Sequence, residues 1–532
     1  MICLTENISA QSFLKTSGQD IVDSNGKKVY LQGVGLGNWM LPEGYMWKFG
    51  KLGDRPRRIE KIIADYIGPE KAEKFWKMYR KNFITEADIK RIAELRFNSV
   101  RPALNSRLFI TEGENKQFVD EGFSLLDDLI KWCKKYHLYV IIDMHGAPGG
   151  QSGQNIDDSR ANKAELFSEP KNQDLLVKLW VEIARRYKDE PTVAAYDLLN
   201  EPLPGGNGSA KLYSHLLVPL YQRLINAIRE VDPNHMFTVE GYNAANNWSL
   251  FDKPLDKNIF YQFHYYCWDR YDYLHMPDPV KFMKKREELN TPIWVGETGE
   301  KNNAIYFATT QFFEKNNIGW SFWPWKKMDT QNTPYSVKPP KGWENVTTYS
   351  RTGEKAAVDN PEDIFNELLE NIKLENSVFY PDVVNAMLRQ IPLKIEAENY
   401  GHDGFLKSYF VKDTATLSSY YRKTEPVKVD VMENDLHQKA PGQFILLNAS
   451  EWTAYHFKSL EDKKFKVSMR IKAVQQPSKL TILINGSTQR VTVSNPDWTE
   501  INLKSQSFKK GLNEMKVEVN DGSVKIDWFN IY

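Results

Sequence analysis

The chain has 532 residues, too many for one hydrophobic core, so two or three domains are expected. Lys and Arg number 70 against 69 Asp and Glu, a balance that argues against nucleic acid or an anionic membrane surface as the main partner. No apolar run reaches the length of a membrane span, while 15 Trp, 26 Tyr and 27 Phe suffice to fill cores and also to offer faces on which sugar rings stack.

At the N-terminus, Met1-Ile2-Cys3-Leu4 is too short for the apolar stretch of a signal peptide, yet Ile8-Ser9-Ala10-Gln11 has the small residues that end one. Residues 1–16 are therefore expected to be the remnant of an export leader or a disordered terminus. From about residue 29 to 326, apolar strand-like runs alternate with amphipathic stretches. The runs lie at 29–38, 99–104, 138–146, 193–202, 235–242, 258–266, 292–299 and 318–326. Several are apolar almost throughout, as parallel strands covered on both faces should be. Helical periodicity is clear at 123–132, 175–187 and 216–228, the last two stopping before Pro191 and Pro233. The polar, Asn-rich stretch 241–258 predicts a fifth helix that is short or missing. A Pro- and Lys-rich stretch, 330–351, reads as a long loop, and helices at 361–374 and 380–390 would close the domain. Eight such units predict a (β/α)8 TIM barrel over residues 17–390.

Past Pro392 the pattern changes to short alternating strands separated by turns such as Asn485-Gly486 and Asp521-Gly522. This predicts an all-β sandwich of jelly-roll type over residues 393–532. Of the cysteines Cys3, Cys133 and Cys267, none has metal-ligand spacing and no disulfide framework is visible; Cys133 and Cys267 are expected as inert thiols.

Two glutamates follow apolar strands: Glu201 in Asp197-Leu198-Leu199-Asn200-Glu201-Pro202, and Glu297 in Trp294-Val295-Gly296-Glu297-Thr298. A carboxylate there sits at the mouth of a barrel, where neighbours tune its pKa and a substrate can reach it. Two are the minimum equipment for cleaving a glycosidic bond. One alone is more often a strand cap or an ion-pair partner, so the other strand ends decide. They carry Asn38, Trp39, Arg101, His145, Asn200, His264, Tyr266 and Trp323. A barrel built only for packing has no reason to gather polar and aromatic groups at so many separate strand ends.

The set Arg101, His145, Asn200-Glu201, His264-x-Tyr266, Glu297 and Trp323 resembles the signature of glycoside hydrolase family 5, in clan A, in order, residue type and strand position. The resemblance implies a retaining hydrolase, with Glu201 as acid/base, Glu297 as nucleophile and no cofactor for catalysis. It also implies that Asn200 bonds a sugar 2-hydroxyl, that Arg101 and Tyr266 keep Glu297 ionised, and that His264 tunes Glu201. His145 would line the rim with Asn38 and Trp39, above an apolar floor at Trp323. Gln32-Gly33-Val34-Gly35-Leu36-Gly37-Asn38-Trp39 and Asp143-Met144-His145-Gly146-Ala147-Pro148-Gly149-Gly150-Gln151 are similar to the matching segments of fungal-type exo-β-1,3-glucanases in that family. Long segments at 41–58 and 149–166 would wall off one end of a groove, favouring exo-action on a β-glucan or its oligosaccharides. The alternatives are an open endo-cleft acting on cellulose, mannan or xyloglucan, and a catalytically silent carbohydrate-binding protein. A monomer is expected, secreted or held in the periplasm or at the cell surface.

In the tail, Leu393-Lys394-Ile395-Glu396-Ala397-Glu398-Asn399-Tyr400, Glu451-Trp452-Thr453-Ala454-Tyr455 and Lys525-Ile526-Asp527-Trp528-Phe529 resemble carbohydrate-binding module families 6 and 35. The resemblance implies a structural Ca²⁺ held by Glu396, Glu398 and Asp527, oxygen ligands that suit a hard cation. An acidic strand edge without metal is the alternative. Lys525 stands where those families often carry a sugar-binding Asn, and Trp498 reads as a buried strand residue, so the usual sugar cleft is expected to be degraded or moved.

Overall fold

Eight parallel strands close into a barrel: β1 (Gln32–Leu36), β2 (Ser99–Asn105), β3 (Tyr139–Gly146), β4 (Val193–Asp197), β5 (Met236–Glu240), β6 (Ile259–Tyr265), β7 (Ile293–Gly299) and β8 (Gly319–Trp323). The structure, a computed structural model, describes residues 11–532 apart from 113–115, 268–278, 420 and 433–441. Each strand pairs with its chain neighbours, and β8 pairs with β1. Every residue of β2 and of β4 to β8 is buried, which is why these segments read as largely apolar runs. The register places Asp143 opposite Ala103 and Asp197, Glu240 opposite Gln262, and His264 opposite Glu297.

The connecting helices are α1 (Pro56–Ile67), α2 (Pro69–Phe83), α3 (Glu86–Glu94), α4 (Asp120–Tyr136), α5 (Pro170–Tyr187), α6 (Leu217–Arg229), α7 (Pro279–Leu289) and α8 (Asn303–Lys315). Four of these, α1, α2, α5 and α7, start with Pro in the first turn, where a missing N–H costs nothing. In α3 a capping box fixes the start: the Thr85 N–H donates to Asp88 Oδ2 at 2.9 Å. No helix joins β5 to β6, as the Asn-rich stretch 241–258 predicts.

Two features depart from the sequence reading. A hairpin of Lys15–Ser17 and Asp20–Val22 packs Leu14 and Ile21 onto Leu31, Ile141, Ala194, Met236, Phe260 and Trp294 at the amino end of the strands. Residues 11–16 are thus part of the fold, whereas 1–10, on which the leader expectation rests, lie outside the described residues. The stretch 330–351 is not a plain loop. It holds the strand Tyr335–Val337 and most of helix α9 (Trp343–Thr352), which buries Trp343 and Val346; Trp343 Nε1 donates to the Trp47 carbonyl at 3.0 Å. Helices α10 (Pro361–Asn371) and α11 (Pro381–Leu388) follow.

The chain divides into two compact units. The first comprises residues up to 265, 281–300 and 318–379; the second comprises 266–280, 301–317 and 380–532. Among its described residues the second is all-β apart from α8, α11 and the first two residues of α7. Its strands are antiparallel, and Leu393–Glu396 pairs with the end of Gly511–Ile531, so the first and last strands of the sheet are neighbours. The two helices join this unit through hydrogen bonds: Gln311 donates to the Asn399 carbonyl at 3.3 Å, and Asn385 to the Pro392 carbonyl at 2.9 Å. Among the described residues no helix is long and apolar enough to cross a membrane.

Candidate active site

Alternate residues of a strand face the same side, so an acid inside an apolar strand that points inward must find a partner in the barrel. Four such acids converge on Arg101, which is fully buried in β2. Its Nε donates to Asp197 Oδ2 at 2.8 Å and its Nη1 to Glu297 Oε1 at 2.7 Å. Asp143 Oδ2 and Glu240 Oε1 each lie 3.3 Å from a guanidinium nitrogen, and Asn200 Oδ1 accepts from Nη2 at 2.9 Å. Burial opposes the guanidinium charge, but these carboxylates outweigh it and raise the pKa of Arg101 further.

The donor pattern fixes the protons along one chain. Arg101 can only donate, so Asn200 Oδ1 accepts and its Nδ2 donates to His145 Nε2, 3.2 Å away. His145 must then carry its proton on Nδ1, which meets Asp143 Oδ2 at 2.7 Å. Burial pushes the His145 pKa down to about 4, keeping it neutral. The ring stacks on Trp323, with centroids 5.1 Å apart and planes 7° from parallel. Gly35 and Gly37 make room for that indole, since a Cβ on either would stand 2.3 or 2.5 Å from its carbons. Trp323 Nε1 donates to Tyr45 Oη at 3.1 Å.

Glu201 lies beyond the end of β4, in a turn with φ of 38°, and its backbone N–H donates to Glu240 Oε2 at 2.6 Å. His264 reaches three carboxylates. Its Nδ1 is 2.7 Å from Glu201 Oε1 and 3.4 Å from Glu297 Oε2, and its Nε2 is 3.2 Å from Glu240 Oε1. Burial works against a charged imidazole, but Glu240 and Glu297, with hydrogen bonds to Glu201 and Glu240, hold its pKa well above the usual range. The Glu201 carboxyl is correspondingly lowered, burial being outweighed by the hydrogen bond and charge of His264. Burial raises Asp143 to about 7 and Glu240 to about 8, and it raises Asp197 as well. Five carboxyls crowd one guanidinium and one imidazole in a dry interior, which disfavours ionising all of them together.

Arg101, His145, Asn200, Glu201, His264, Glu297 and Trp323 are thus brought together. Tyr266 follows directly on the last residue of β6 and is half-buried. Asn38 and Trp39 are engaged elsewhere. With φ of 64°, Asn38 accepts from Trp47 Nε1 at 2.5 Å, its carbonyl accepts from Tyr79 Oη at 2.7 Å, and Trp39 Nε1 donates to the Arg80 carbonyl at 2.7 Å. These bonds anchor the segment after β1 to α2, a structural role in place of the sugar contacts expected of the two residues.

The sequence reading passed over Asp143, Asp197, Glu240 and Glu43, although a carboxyl inside a buried parallel strand was a usable signal for the first three. Glu43 comes from the long segment after β1 and is buried; burial and then the charges of Glu297, Glu300 and Glu201 raise its pKa well above normal. Of the residues expected to bind calcium, Glu396 Oε1 meets Lys394 Nζ at 2.8 Å and Asp527 Oδ2 meets Arg470 Nη1 at 2.6 Å. Glu398 is buried, with the Gln443 amide 3.5 Å away. A Ca²⁺ ion held by these three would have to displace both cations, so the arrangement does not fit the metal as it stands.

The sequence of residues 66–329, from the end of α1 to beyond β8, matches the profile of Cellulase (glycosyl hydrolase family 5). A Beta-xylosidase of Phanerodontia chrysosporium is 29% identical over 365 residues, covering 61% of this chain and 74% of that protein. A Probable glucan 1,3-beta-glucosidase A of Aspergillus fumigatus is 27% identical over 307 residues, covering 56% and 70%. Endoglucanase C of Acetivibrio thermocellus is 31% identical over 194 residues, covering 36% and 53%. With the carboxylate pair at the mouth of the barrel, these likenesses identify the chain as a β-glycoside hydrolase whose barrel is similar to those of glycosyl hydrolase family 5.

Proposed function

We propose that the protein is a retaining exo-acting β-glucosidase of β-glucans and their oligosaccharides, with Glu297 as nucleophile and Glu201 as acid/base. One observation carries the mechanism: ligand oxygens of Glu201 and Glu297 and a nitrogen of His264 all lie within 4.8 Å of one another. Direct attack on the anomeric carbon needs carboxyls about 5–5.5 Å apart, whereas an intervening water needs about 6.5–9.5 Å. Arg101 Nη1 donates to Glu297 Oε1 at 2.7 Å and fixes its rotamer. Asn200, its Oδ1 held by Arg101, has an amide hydrogen left for a sugar hydroxyl, a contact that strengthens as positive charge develops at the anomeric centre.

Exo-action is supported by the loops. The segments after β1 and β3 are tied together by Arg55 donating to Ser159, Arg57 N to Asp158 Oδ1 at 3.0 Å, and Arg58 to Asn162 at 2.7 Å. Arg107 joins through Asp158 and through Glu60 at 2.9 Å. Loops locked in this way favour a closed end over a through-going cleft. Glucan specificity is supported by the names of the Aspergillus and Acetivibrio relatives. A second reading, β-xyloside hydrolysis, is favoured by the name of the Phanerodontia protein. The separating experiment is product analysis on laminarin, cello-oligosaccharides, xylan and xylo-oligosaccharides. Release of glucose as sole early product from laminarin supports the proposal, whereas xylose release or a ladder of long products overturns it.

For the second unit we propose a carbohydrate-binding-like module without the usual cleft. Lys525 Nζ stands 4.5 Å over the Phe444 ring, and Arg470 and Lys472 lie 5.3 and 5.1 Å over a half-buried Trp498. Retention of the full chain on insoluble β-glucan should not change in Trp498→Ala; loss of retention would place a sugar site there.

A further inference from the structure

Glu201 has a left-handed backbone, with φ of 38°, a region that an L-residue enters only at a cost, so its surroundings must hold it there. The angle follows the plane of the Asn200–Glu201 peptide, and that plane is pinned at both edges. At one edge the Glu201 N–H donates to Glu240 Oε2 at 2.6 Å. At the other the Asn200 carbonyl accepts from Gln151 Nε2 at 2.9 Å. Gln151 is fully buried and its amide is fully engaged: Nε2 also donates to the His145 carbonyl at 2.7 Å, and Oε1 accepts the Ala147 N–H at 3.1 Å. Its backbone carbonyl accepts the Leu203 N–H at 3.2 Å. One residue thus ties the end of β3, which carries His145, to the turn that carries Asn200 and Glu201. The local sequence prepares the position. Gly149 and Gly150 have φ of 77° and 80°, and the Gly150 N–H donates to the Ala147 carbonyl at 2.9 Å, a tight turn that brings residue 151 back to the strand end. Past it, Asp157 Oδ2 accepts the Ser152 and Gly153 N–H groups at 2.7 and 2.9 Å, so Gln151 is anchored from both sides. Met and Glu have the same length, but only a primary amide offers two donors and an acceptor to three backbone groups that meet at one place.

We propose that Gln151 is a positioning residue for the general acid, acting through the Asn200–Glu201 peptide to hold the Glu201 carboxyl in line with the leaving oxygen. The inference rests on Glu201 being that acid. Without the Gln151 amide, the buried Asn200 carbonyl loses its donor and the peptide plane turns to recover one. Glu201 then leaves the left-handed region, and its carboxyl moves from the place beside His264 Nδ1 that it holds at 2.7 Å. The nucleophile does not share this support, because Glu297 stands on β7 and is fixed by Arg101 Nη1 at 2.7 Å. The Asn200 side chain also keeps its own bonds, to Arg101 at 2.9 Å and to His145 at 3.2 Å. Loss of Gln151 therefore impairs protonation of the leaving group and spares attack on the anomeric carbon.

The test compares phenyl and 2,4-dinitrophenyl β-glycosides of whichever sugar, glucose or xylose, the enzyme turns over. The first needs its leaving group protonated and the second does not. In Gln151→Met, kcat/KM on the phenyl glycoside should fall at least about tenfold, since a general acid displaced by a fraction of an ångström loses most of its effect. On the dinitrophenyl glycoside kcat/KM should stay within about threefold. The burst of dinitrophenol from the 2-deoxy-2-fluoro analogue counts competent sites, so a partly unfolded preparation still yields a rate per site. Gln151→Glu, which keeps the length and the acceptor but has at most one hydrogen for two carbonyls, should show the same selective loss. Equal losses on both substrates, no loss on the phenyl glycoside, or no competent sites in either variant would overturn the proposal and leave Gln151 a residue of folding alone. Glu201→Gln separates the two claims. If it spares the dinitrophenyl glycoside while neither Gln151 variant is selective, only the positioning role falls; if Glu201→Gln loses both substrates alike, the acid assignment itself falls.

Discussion

Arg101 is the residue on which the site's electrostatics turn. It is the one guanidinium among four carboxylates that contact it at 2.7 to 3.3 Å, and it reaches the nucleophile and Asn200 together. Removing one partner of a buried ion pair leaves uncompensated charge, so Arg101→Met should lower stability by about 3–5 kcal/mol, read by denaturant unfolding. Residual kcat/KM should drop by about 10²-fold or more, because Glu297 loses the charge that fixes it. The same cluster predicts a pH dependence of stability. Asp143 and Glu240, raised to about 7 and about 8, keep protons that an unfolded carboxyl releases near pH 4. Their contribution is full below about pH 4 and is lost as pH rises through those values. His145, lowered to about 4, acts in the opposite direction, but only up to about pH 6.5. Tm should therefore fall between about pH 6.5 and 8.5, and fall less in Glu240→Gln. The sequence reading reached Arg101, His145 and His264 through their positions in strands. It passed over Asp143, Asp197 and Glu240 because a carboxyl within an apolar run carries no sign of which cation lies across the barrel.

At the scale of elements, strand periodicity was enough to place all eight barrel strands and to predict the missing helix between β5 and β6. The hairpin under the barrel was not legible, because Leu14 and Ile21 gain meaning only from the ring of apolar residues they cover. Helix α9 was masked by the Pro and Lys around it, and its anchor, Trp343 on the Trp47 carbonyl, spans a large sequence separation. Asn38 and Trp39 stood at the right place in the chain but turn into the protein, a matter of one positive φ that composition does not reveal. The two long loops could be recognised by length, but not the pairing between them. That pairing centres on Asp158, which is buried and accepts from Arg57, Arg107 and the Asn105 amide at 3.1 Å. Asp158→Ala takes a shared acceptor from Arg57 and Arg107, which keep Glu112 and Glu60, and should cost about 1–3 kcal/mol by thermal or denaturant unfolding. It should also loosen the closed end, seen as longer early products from laminarin relative to glucose. A stable variant with an unchanged product pattern would separate these loops from exo-action.

For the whole molecule, near-zero net charge and an aromatic-rich composition identify no partner by themselves. Two strand-end carboxylates and the groups converging on them narrowed the chemistry to glycoside cleavage. Sugar preference is written in loops, which is why relatives named for xylose and for glucan can share the same barrel. The central claim is that Glu297 forms the covalent intermediate, and mapping that adduct tests it most directly. After incubation with a 2,4-dinitrophenyl 2-deoxy-2-fluoro-β-glycoside, peptide mass spectrometry should find one added fluoroglycosyl group, on Glu297. A label on Glu201 or on any other residue would contradict the account.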